Sequence, residues 1–210
     1  KTTASAADTL DGGKGVDTFK LYDATATALG SIPTLKNIEN VALYDLAAGD
    51  GDLKKWDTVE TLYVVNAGAA TTGTGFDLGE KVTTVNFENI ANDQELTFDA
   101  ALTAATIGVN KVIAAAAGPV TVTVASAGTG ALKTLTVDAS GKASNVTLTQ
   151  AAIETLNITG KANLTLDASS TLTAVKTVDG SKAQGNLTFS NTPNMTSIKT
   201  GSGNDTVTVA

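Results

Sequence analysis

Leu132-Lys133-Thr134-Leu135-Thr136-Val137, Asn145-Val146-Thr147-Leu148, Ile153-Glu154-Thr155-Leu156-Asn157-Ile158 and Asn163-Leu164-Thr165-Leu166 follow one another with only short segments between them. The first and third set two apolar residues three apart and then alternate, which reads as a bend leading into a strand. The second and fourth read Asn-apolar-Thr-apolar, a period-two strand with a turn residue in front. The same two signals return at Leu172–Val178 and Asn186–Phe189, and again at Met195–Ile198 and Asp205–Val209. With Leu135, Leu156, Val175 and Ile198 as markers the steps are 21, 19 and 23 residues. Toward the N-terminus the bend signal recurs with Ile38, Leu62 and Val85 as markers, at steps of 24 and 23.

A unit of about 20 residues cannot bury an apolar face alone, so successive units must stack, each covering its neighbour. Stacking in register predicts an all-β chain, a right-handed parallel β-helix or β-solenoid. Two alternatives stay open: a leucine-rich-repeat-like solenoid, whose return segments are helical or irregular, and a β-sandwich. The strand-like return segments favour the β-solenoid. Residues 31–118 form a first solenoid segment and residues 119–200 a second, more regular one. Between Leu96 and Val112 the pattern blurs into an alanine-rich region that suits either a short helix or a coil with small inward residues.

The two ends of the chain read differently. Asp8-Thr9-Leu10-Asp11-Gly12-Gly13-Lys14-Gly15-Val16-Asp17-Thr18-Phe19 repeats an Asp-Thr-apolar triplet nine residues apart, and its second copy carries the frame Gly-Gly-x-Gly-x-Asp-x-apolar. Nine-residue periodicity of this kind is the signature of calcium-binding β-roll turns. Glycines permit the tight turn, aspartate supplies a hard oxygen ligand, and the apolar residue points into a narrow core. Residues 1–30 are therefore expected to form a calcium-binding start, with Asp8, Asp11, Gly13, Gly15 and Asp17 as candidate Ca2+ residues. Residues 201–210 begin another such turn, in which Gly203 and Asp205 are the candidates.

Composition restricts the chemistry. All 14 basic residues are lysine, and the 210-residue chain has neither histidine nor cysteine. Imidazole acid/base catalysis, guanidinium clamps and thiolate metal sites are excluded by that residue set. The net charge of −7 argues against nucleic acid or an anionic membrane surface as a partner. No apolar run reaches the roughly 18 to 20 residues of a membrane helix, so the chain is not expected to cross a membrane by one. It begins at Lys1 without a signal-like segment, as a piece cut from something longer would.

Further polar features carry two readings each. Asp45, Asp50, Asp52 and Asp57 surround a Gly-containing loop, where Asp50 and Asp52 alternate as in part of an EF-hand; the terminal glutamate is missing, which favours a solvated loop over calcium recruited at a subunit contact. Thr-x-Thr strings at 121–123, 134–136, 147–149 and 206–208 predict a threonine ladder on one solenoid face, a solvated β surface or a binder of ice or glycan. Glu39, Glu60 and Glu154 share a position beside the apolar markers, which reads as a repeated surface position; a glycosidase would need two carboxylates facing each other. Asn145, Asn157, Asn163, Asn186 and Asn194 match glycosylation acceptors, or cap turns before strands.

The nonapeptide frame, the following Leu35-Lys36-Asn37-Ile38-Glu39-Asn40-Val41 segment and the Leu-Asn-Ile-Thr-Gly and Asn-Leu-Thr-Leu strands together resemble RTX-type surface-layer proteins of Gram-negative bacteria. The motifs cover the first twenty and last ten residues, and the likeness in style covers most of the chain. The resemblance implies an extracellular, calcium-dependent structural protein, secreted by the type I route. It implies self-association into a lattice or homo-oligomer on the bacterial cell surface, with lipopolysaccharide or a cell-surface glycan contacted through regions outside this chain. It implies calcium roles for Asp8, Gly13, Gly15, Asp17, Gly203 and Asp205. No catalytic residue is expected. An RTX-type adhesin for glycan or host matrix is the first alternative, and a β-helix enzyme acting on polysaccharide the second.

Overall fold

The computed structural model describes residues 8–22, 33–70, 75–128, 132–150, 152–167 and 169–209. Their strands, β1 to β19 in chain order, are arranged almost wholly in two parallel sheets, and no helix occurs among the described residues. Sheet one has nine strands: β2 (Thr18–Tyr22), β4 (Asn40–Tyr44), β6 (Thr61–Val65), β8 (Thr84–Ile90), β10 (Ala104–Val112), β12 (Thr134–Ala139), β14 (Thr155–Gly160), β16 (Thr177–Ala183) and β18 (Ser197–Lys199). Sheet two has eight: β5 (Gly51–Asp52), β7 (Phe76–Asp77), β9 (Gln94–Phe98), β11 (Val120–Ser126), β13 (Ser144–Thr149), β15 (Leu164–Leu166), β17 (Leu187–Ser190) and β19 (Thr206–Thr208). A separate pair, β1 (Thr9–Asp11) with β3 (Thr34–Lys36), precedes them.

The chain alternates between the two sheets, and each strand pairs in parallel with the strand one coil away. That is a parallel β-solenoid. Its interior is built of ladders, because identical register brings the same inward position of each coil within one interstrand spacing, about 4.8 Å, of the next. One ladder runs Phe19, Val41, Leu62, Val85, Ile107, Val137 and Ile158. A second runs Ala105, Leu135, Leu156, Val178 and Ile198. From Val41 and Ala105 through Val178 these side chains are essentially sealed from solvent, and burial of each contributes about 1.5–3 kcal/mol for the larger aliphatics. Alternate residues point outward, giving the buried/half-buried alternation of β11 and β12.

The three-then-two spacing is the bend and the first inward strand residue, but at two coils that strand residue lies one step beyond the marker, at Val41 for Ile38 and at Val178 for Val175. Leu35, Ile38 and Val41 lie three apart in succession, as do Leu172, Val175 and Val178, so spacing alone offers two frames. In the structure Val41 pairs with Leu62, and Val178 pairs with Leu156; Ile38 and Val175 are the buried residues of the preceding bend. In the corrected frame Val41 to Leu62, Leu156 to Val178 and Val178 to Ile198 are steps of 21, 22 and 20 residues, more even than the sequence markers suggested.

The alanine-rich region is strand. Ala105, Ile107 and Val109 of β10 face inward, and the step from Ile107 to Val137 lengthens to 30 residues without loss of register. The threonine strings do not share one face: Thr121 with Thr147 and Thr123 with Thr149 lie on sheet two, whereas Thr134 and Thr136 lie on sheet one. Sheet one carries its own column, Thr61, Thr84, Thr106 and Thr136, of which only Thr136 belongs to one of those strings.

The corner after sheet one is also a ladder. Asp45, Asn66, Asn89 and Lys111 occupy equivalent positions in successive coils with φ of 56°, 57°, 54° and 58°, and Gly141 follows at 61°. Asn and Asp tolerate this left-handed conformation best among residues with side chains. Asn66 Nδ2 donates to Asp45 Oδ1 at 2.9 Å, and Asn89 Nδ2 donates to Asn66 Oδ1.

Candidate functional site

The N-terminal glycine turn links β1 to β2 and is packed against the next coil. Asp11 ends β1, and its Oδ1 accepts two bonds, from Gly13 N–H at 3.0 Å and from Asn37 Nδ2 at 2.8 Å. The Asn37 bond, then the Gly13 bond, with Lys36 helping, hold the Asp11 carboxyl below its ordinary value. Gly12 donates its N–H to Lys36 O at 3.0 Å. A Cβ on Gly12 would stand 2.3 Å from Asn37 O and 2.7 Å from the Asp17 Cβ, so glycine is what lets the turn close upon Asp17. Gly13 and Gly15 hold φ of 84° and 121°, a backbone that L side chains rarely adopt.

Asp17 is the pivot of this turn. Its N–H donates to Glu39 Oε2 at 2.8 Å, and its carbonyl accepts from Asn40 N–H at 3.0 Å. Its Oδ2 is shielded from solvent and has no hydrogen-bond partner among the described residues. The structure therefore brings Asp11, the Gly12–Gly15 turn and Asp17 together and adds Glu39, whose place in the sequence reads only as a repeated surface position. Asp8 is exposed, and its carbonyl seats Thr34 N–H at 3.0 Å. Among the described residues no group of three or more acidic side chains is drawn into one metal-sized cluster. Any ion here would depend on backbone carbonyls as well as Asp17 and Asp11.

The C-terminal turn lies at the other end of the solenoid, and its motif residues have coil-to-coil contacts. A Cβ on Gly203 would meet Gly185 O at 2.4 Å, so the turn rests directly on the coil beneath. Asp205 Oδ1 accepts Leu187 N–H at 2.9 Å. Beside it Asn163 Oδ1 accepts Asn186 N–H, and Asn186 Oδ1 accepts Asn204 N–H, each at 2.9 Å. Of the acceptor-like asparagines, Asn145 and Asn194 also bond the adjacent coil, through Ala117 O and Thr173 O. The turn-capping reading accounts for all four.

Asp52 bonds its own turn, accepting Lys54 N–H at 3.0 Å, and Asp50 precedes it, half-buried. Asp52 pairs in register with Asp77 of the next coil, and the Lys54 ammonium bonds Asp77 Oδ2. That bond, reinforced by the charges of Asp77, Asp52 and Asp99, raises the Lys54 pKa above its ordinary value. The Lys54 ammonium thus ties this loop to the next coil through Asp77, beside the alternating Asp50 and Asp52. This pair is invisible in the sequence, because Asp77 becomes a neighbour only once the coil length is known.

The glutamates form a column at the bend into sheet one. Backbone bonds run from Asn40 N to Asp17 O, from Glu60 N to Glu39 O, and from Thr83 N to Glu60 O. A second column, stepped by two residues at β10, carries Thr103, Lys133, Glu154 and Lys176: Thr84 pairs with Thr106, whereas Ala104 pairs with Thr134. Lys133 and Lys176 flank Glu154 at 3.3 and 2.7 Å, and these two bonds hold its carboxyl below its ordinary value. Glu60 and Glu154 are four interstrand steps apart, about 19 Å at 4.8 Å per step, well beyond the separation of a glycosidase pair.

All three tyrosines of the chain lie on the outer face of sheet one in the first three coils. Tyr22 and Tyr44 stack with centroids 4.6 Å apart and planes inclined by 12°, and Tyr63 is 40 % exposed. Comparison with family models, with curated proteins and with solved structures finds no match to this chain.

Proposed function

We propose that the chain is a structural segment of a bacterial surface-layer protein whose folding and self-assembly on the cell surface depend on calcium. The observation that carries this reading is the shielded, unpartnered Asp17 Oδ2 set against the Gly12–Gly15 turn. A carboxylate oxygen removed from water without a partner is costly, and a bound cation relieves that cost. Asp17, the free oxygen of Asp11 and carbonyls of the glycine turn are the oxygen donors that a hard cation such as Ca2+ takes. The nonapeptide frame at the same residues supports the choice of calcium.

The mechanism is linkage. Ions that bind the folded turn and hardly bind the disordered chain stabilise the fold in proportion to RT ln(1 + [L]/Kd), about 2.7 kcal/mol at a hundredfold excess over Kd. Where free calcium is low, the acidic N-terminal coils repel one another. Where it is abundant, the turn closes and seeds the coils that stack upon it. Thermal unfolding followed by circular dichroism and by emission of the single, buried Trp56 tests this directly. A higher midpoint in calcium than in chelator is expected; identical midpoints would refute calcium-dependent folding. Electron microscopy of calcium-loaded protein supplies the second test, with ordered sheets expected.

A second reading, a glycan-binding adhesin surface, has one observation in its favour, the exposed tyrosines of sheet one beside its threonine column. Isolated rods that retain a polysaccharide, and lose it on Tyr22→Ala with Tyr63→Ala, would establish that reading over the first.

A further inference from the structure

Residues 106–210 carry seven lysines against five Asp or Glu, and three of those lysines find no carboxylate. Lys133 and Lys176 flank Glu154. Asp179, held below its ordinary value first by its bonds from Ser181, has Lys199 and Lys182 beside it. Lys111, Lys142 and Lys161 are left, exposed and without an ion pair among the described residues. All three sit at the corner after sheet one, on the successive coils of β10, β12 and β14. Lys111 donates its backbone N–H to Lys142 O at 3.3 Å, and the pairings of Ala139 with Gly160 and of Ser144 with Leu164 bring Lys161 to the same corner of the next coil. Like charges at adjacent rungs, about 4.8 Å apart, oppose each other, and an anion laid across them relieves that repulsion.

A groove of about 460 Å³, within the range of small-ligand sites, runs along this corner. Glu88 and Asn89 line it from the β8 coil, Asn110 and Lys111 from the β10 coil, and Gly141 and Lys142 from the β12 coil. Asn110 Oδ1 accepts Lys142 N–H at 2.9 Å, and a Cβ on Gly141 would stand 2.3 Å from that oxygen, so glycine is what lets the amide lie in the corner. Asn110 Nδ2 is then a donor without a partner among the described residues. Asn89, whose Nδ2 is committed to Asn66, keeps Oδ1 as an acceptor without one. A fitting ligand brings a negative charge for the lysines and groups that both give and accept hydrogen bonds for the two amides, and sugar hydroxyls do both. No aromatic side chain or arginine lines the groove for a nucleobase to stack upon.

We propose that this groove binds an acidic sugar, a uronate unit of a linear polysaccharide, with its carboxylate at Lys111 and Lys142, its hydroxyls on Asn89 and Asn110, and the polymer running on over Lys161. Glu88 sets the direction, since it repels a carboxylate and accepts a hydroxyl, which turns the acid group toward Lys142. The net charge of −7 is no obstacle, because residues 1–105 carry −9 of it and residues 106–210 carry +2. At physiological salt a Debye length of about 8 Å, less than two coils, screens the N-terminal acids from this corner. The site lies beyond the calcium reading and uses none of its residues.

Calorimetric titration of the calcium-loaded chain with short oligomers of galacturonate, glucuronate and mannuronate, below the length that gels with calcium, is the experiment. Binding of at least one, weakening as salt is raised, is expected. The methyl ester of that oligomer keeps ring and hydroxyls without the charge and should bind at least tenfold more weakly. Lys111→Gln and Lys142→Gln should each lower affinity about tenfold, the worth of a hydrogen bond between charged groups. Lys176→Gln, outside the groove, should leave it unchanged. The three lysines are exposed, and circular dichroism of the same samples confirms that each variant is folded. A folded wild-type chain that binds none of the oligomers, or a Lys111→Gln/Lys142→Gln double variant that binds as well as wild type, overturns the site. Inorganic polyphosphate bound as tightly as the uronates, or a single-stranded oligonucleotide bound more tightly, overturns the assignment to a sugar. Calcium-dependent folding is read separately, by the melting midpoints, and stands or falls without regard to these outcomes.

Discussion

Asn186 stands midway in a three-coil chain of side-chain bonds: it donates its N–H to Asn163 Oδ1 and presents its own Oδ1 to Asn204 N–H, each at 2.9 Å. An asparagine at this corner supplies the acceptor that the turn of the next coil needs, and it does so at every repeat where the residue recurs.

Replacing Asn186 by alanine removes that acceptor and leaves Asn204 N–H to solvent. A loss of about 0.5–1 kcal/mol is expected, the lower part of the net worth of a hydrogen bond, because this one is exposed. Asn186→Asp keeps the acceptor oxygen and should retain most of the stability. Urea midpoints of the three proteins decide the matter; equal midpoints for alanine and wild type would remove the ladder from the account of stability.

Leu156 tests the interior. It is sealed from solvent and pairs with Leu135 on one side and Val178 on the other. Leu156→Ala should cost about 2–5 kcal/mol, the transfer term plus a cavity that two ladder neighbours cannot fill without losing register. Denaturation in urea at constant m-value gives the figure.

Asp17 and Asp205 share a motif but differ in surroundings. Asp17→Ala should abolish the rise in melting temperature that calcium brings, because the shielded oxygen is removed. Asp205→Ala should lower stability by about 1 kcal/mol with or without calcium, since its Oδ1 holds Leu187 N–H. Calorimetry of both variants in calcium and in chelator separates them; identical behaviour would contradict the distinction.

Acid should loosen the C-terminal coils. Glu154 is held below its ordinary 4.5 first by its bond from Lys176 and then by that from Lys133, and Asp167 below its ordinary 3.8 by two bonds from Ser169. A carboxyl whose folded value is depressed contributes stability that is present above its unfolded value and lost as pH falls through the folded one. Stability should therefore be flat near neutrality and decline on going below about pH 4.5, and Glu154→Gln should flatten part of that decline. Because these groups are exposed, the change is expected to be small.

Much of the architecture could be read from residues such as Leu132, Leu135 and Val137, because a coil has to bend and then alternate, and both operations leave apolar spacings. The frame could not be read where three apolar residues lie three apart, as at Leu35, Ile38 and Val41, since only pairing with Leu62 chooses between them. Alanine at 104 and 105 gave no period because its small side chain suits helix and strand alike. Of the candidate site, Asp11, Gly13, Gly15 and Asp17 were legible as a local motif. Glu39 and the Lys54–Asp77 bond were not, because they join residues one coil apart, and that distance exists only after the chain has closed its turn.

Register here is handed from each coil only to the next, with Leu135 set on Ala105 and Leu156 set on Leu135. A coil is thereby a removable unit of length. Excising residues 135–155 would bring Leu156 to Ala105, an aliphatic rung replacing an aliphatic rung, with both termini of the rod unaltered. A gene encoding such a protein can lengthen or shorten it by duplicating or losing single repeats, so the dimension it spans is open to change while its ends, and whatever they attach to, stay the same.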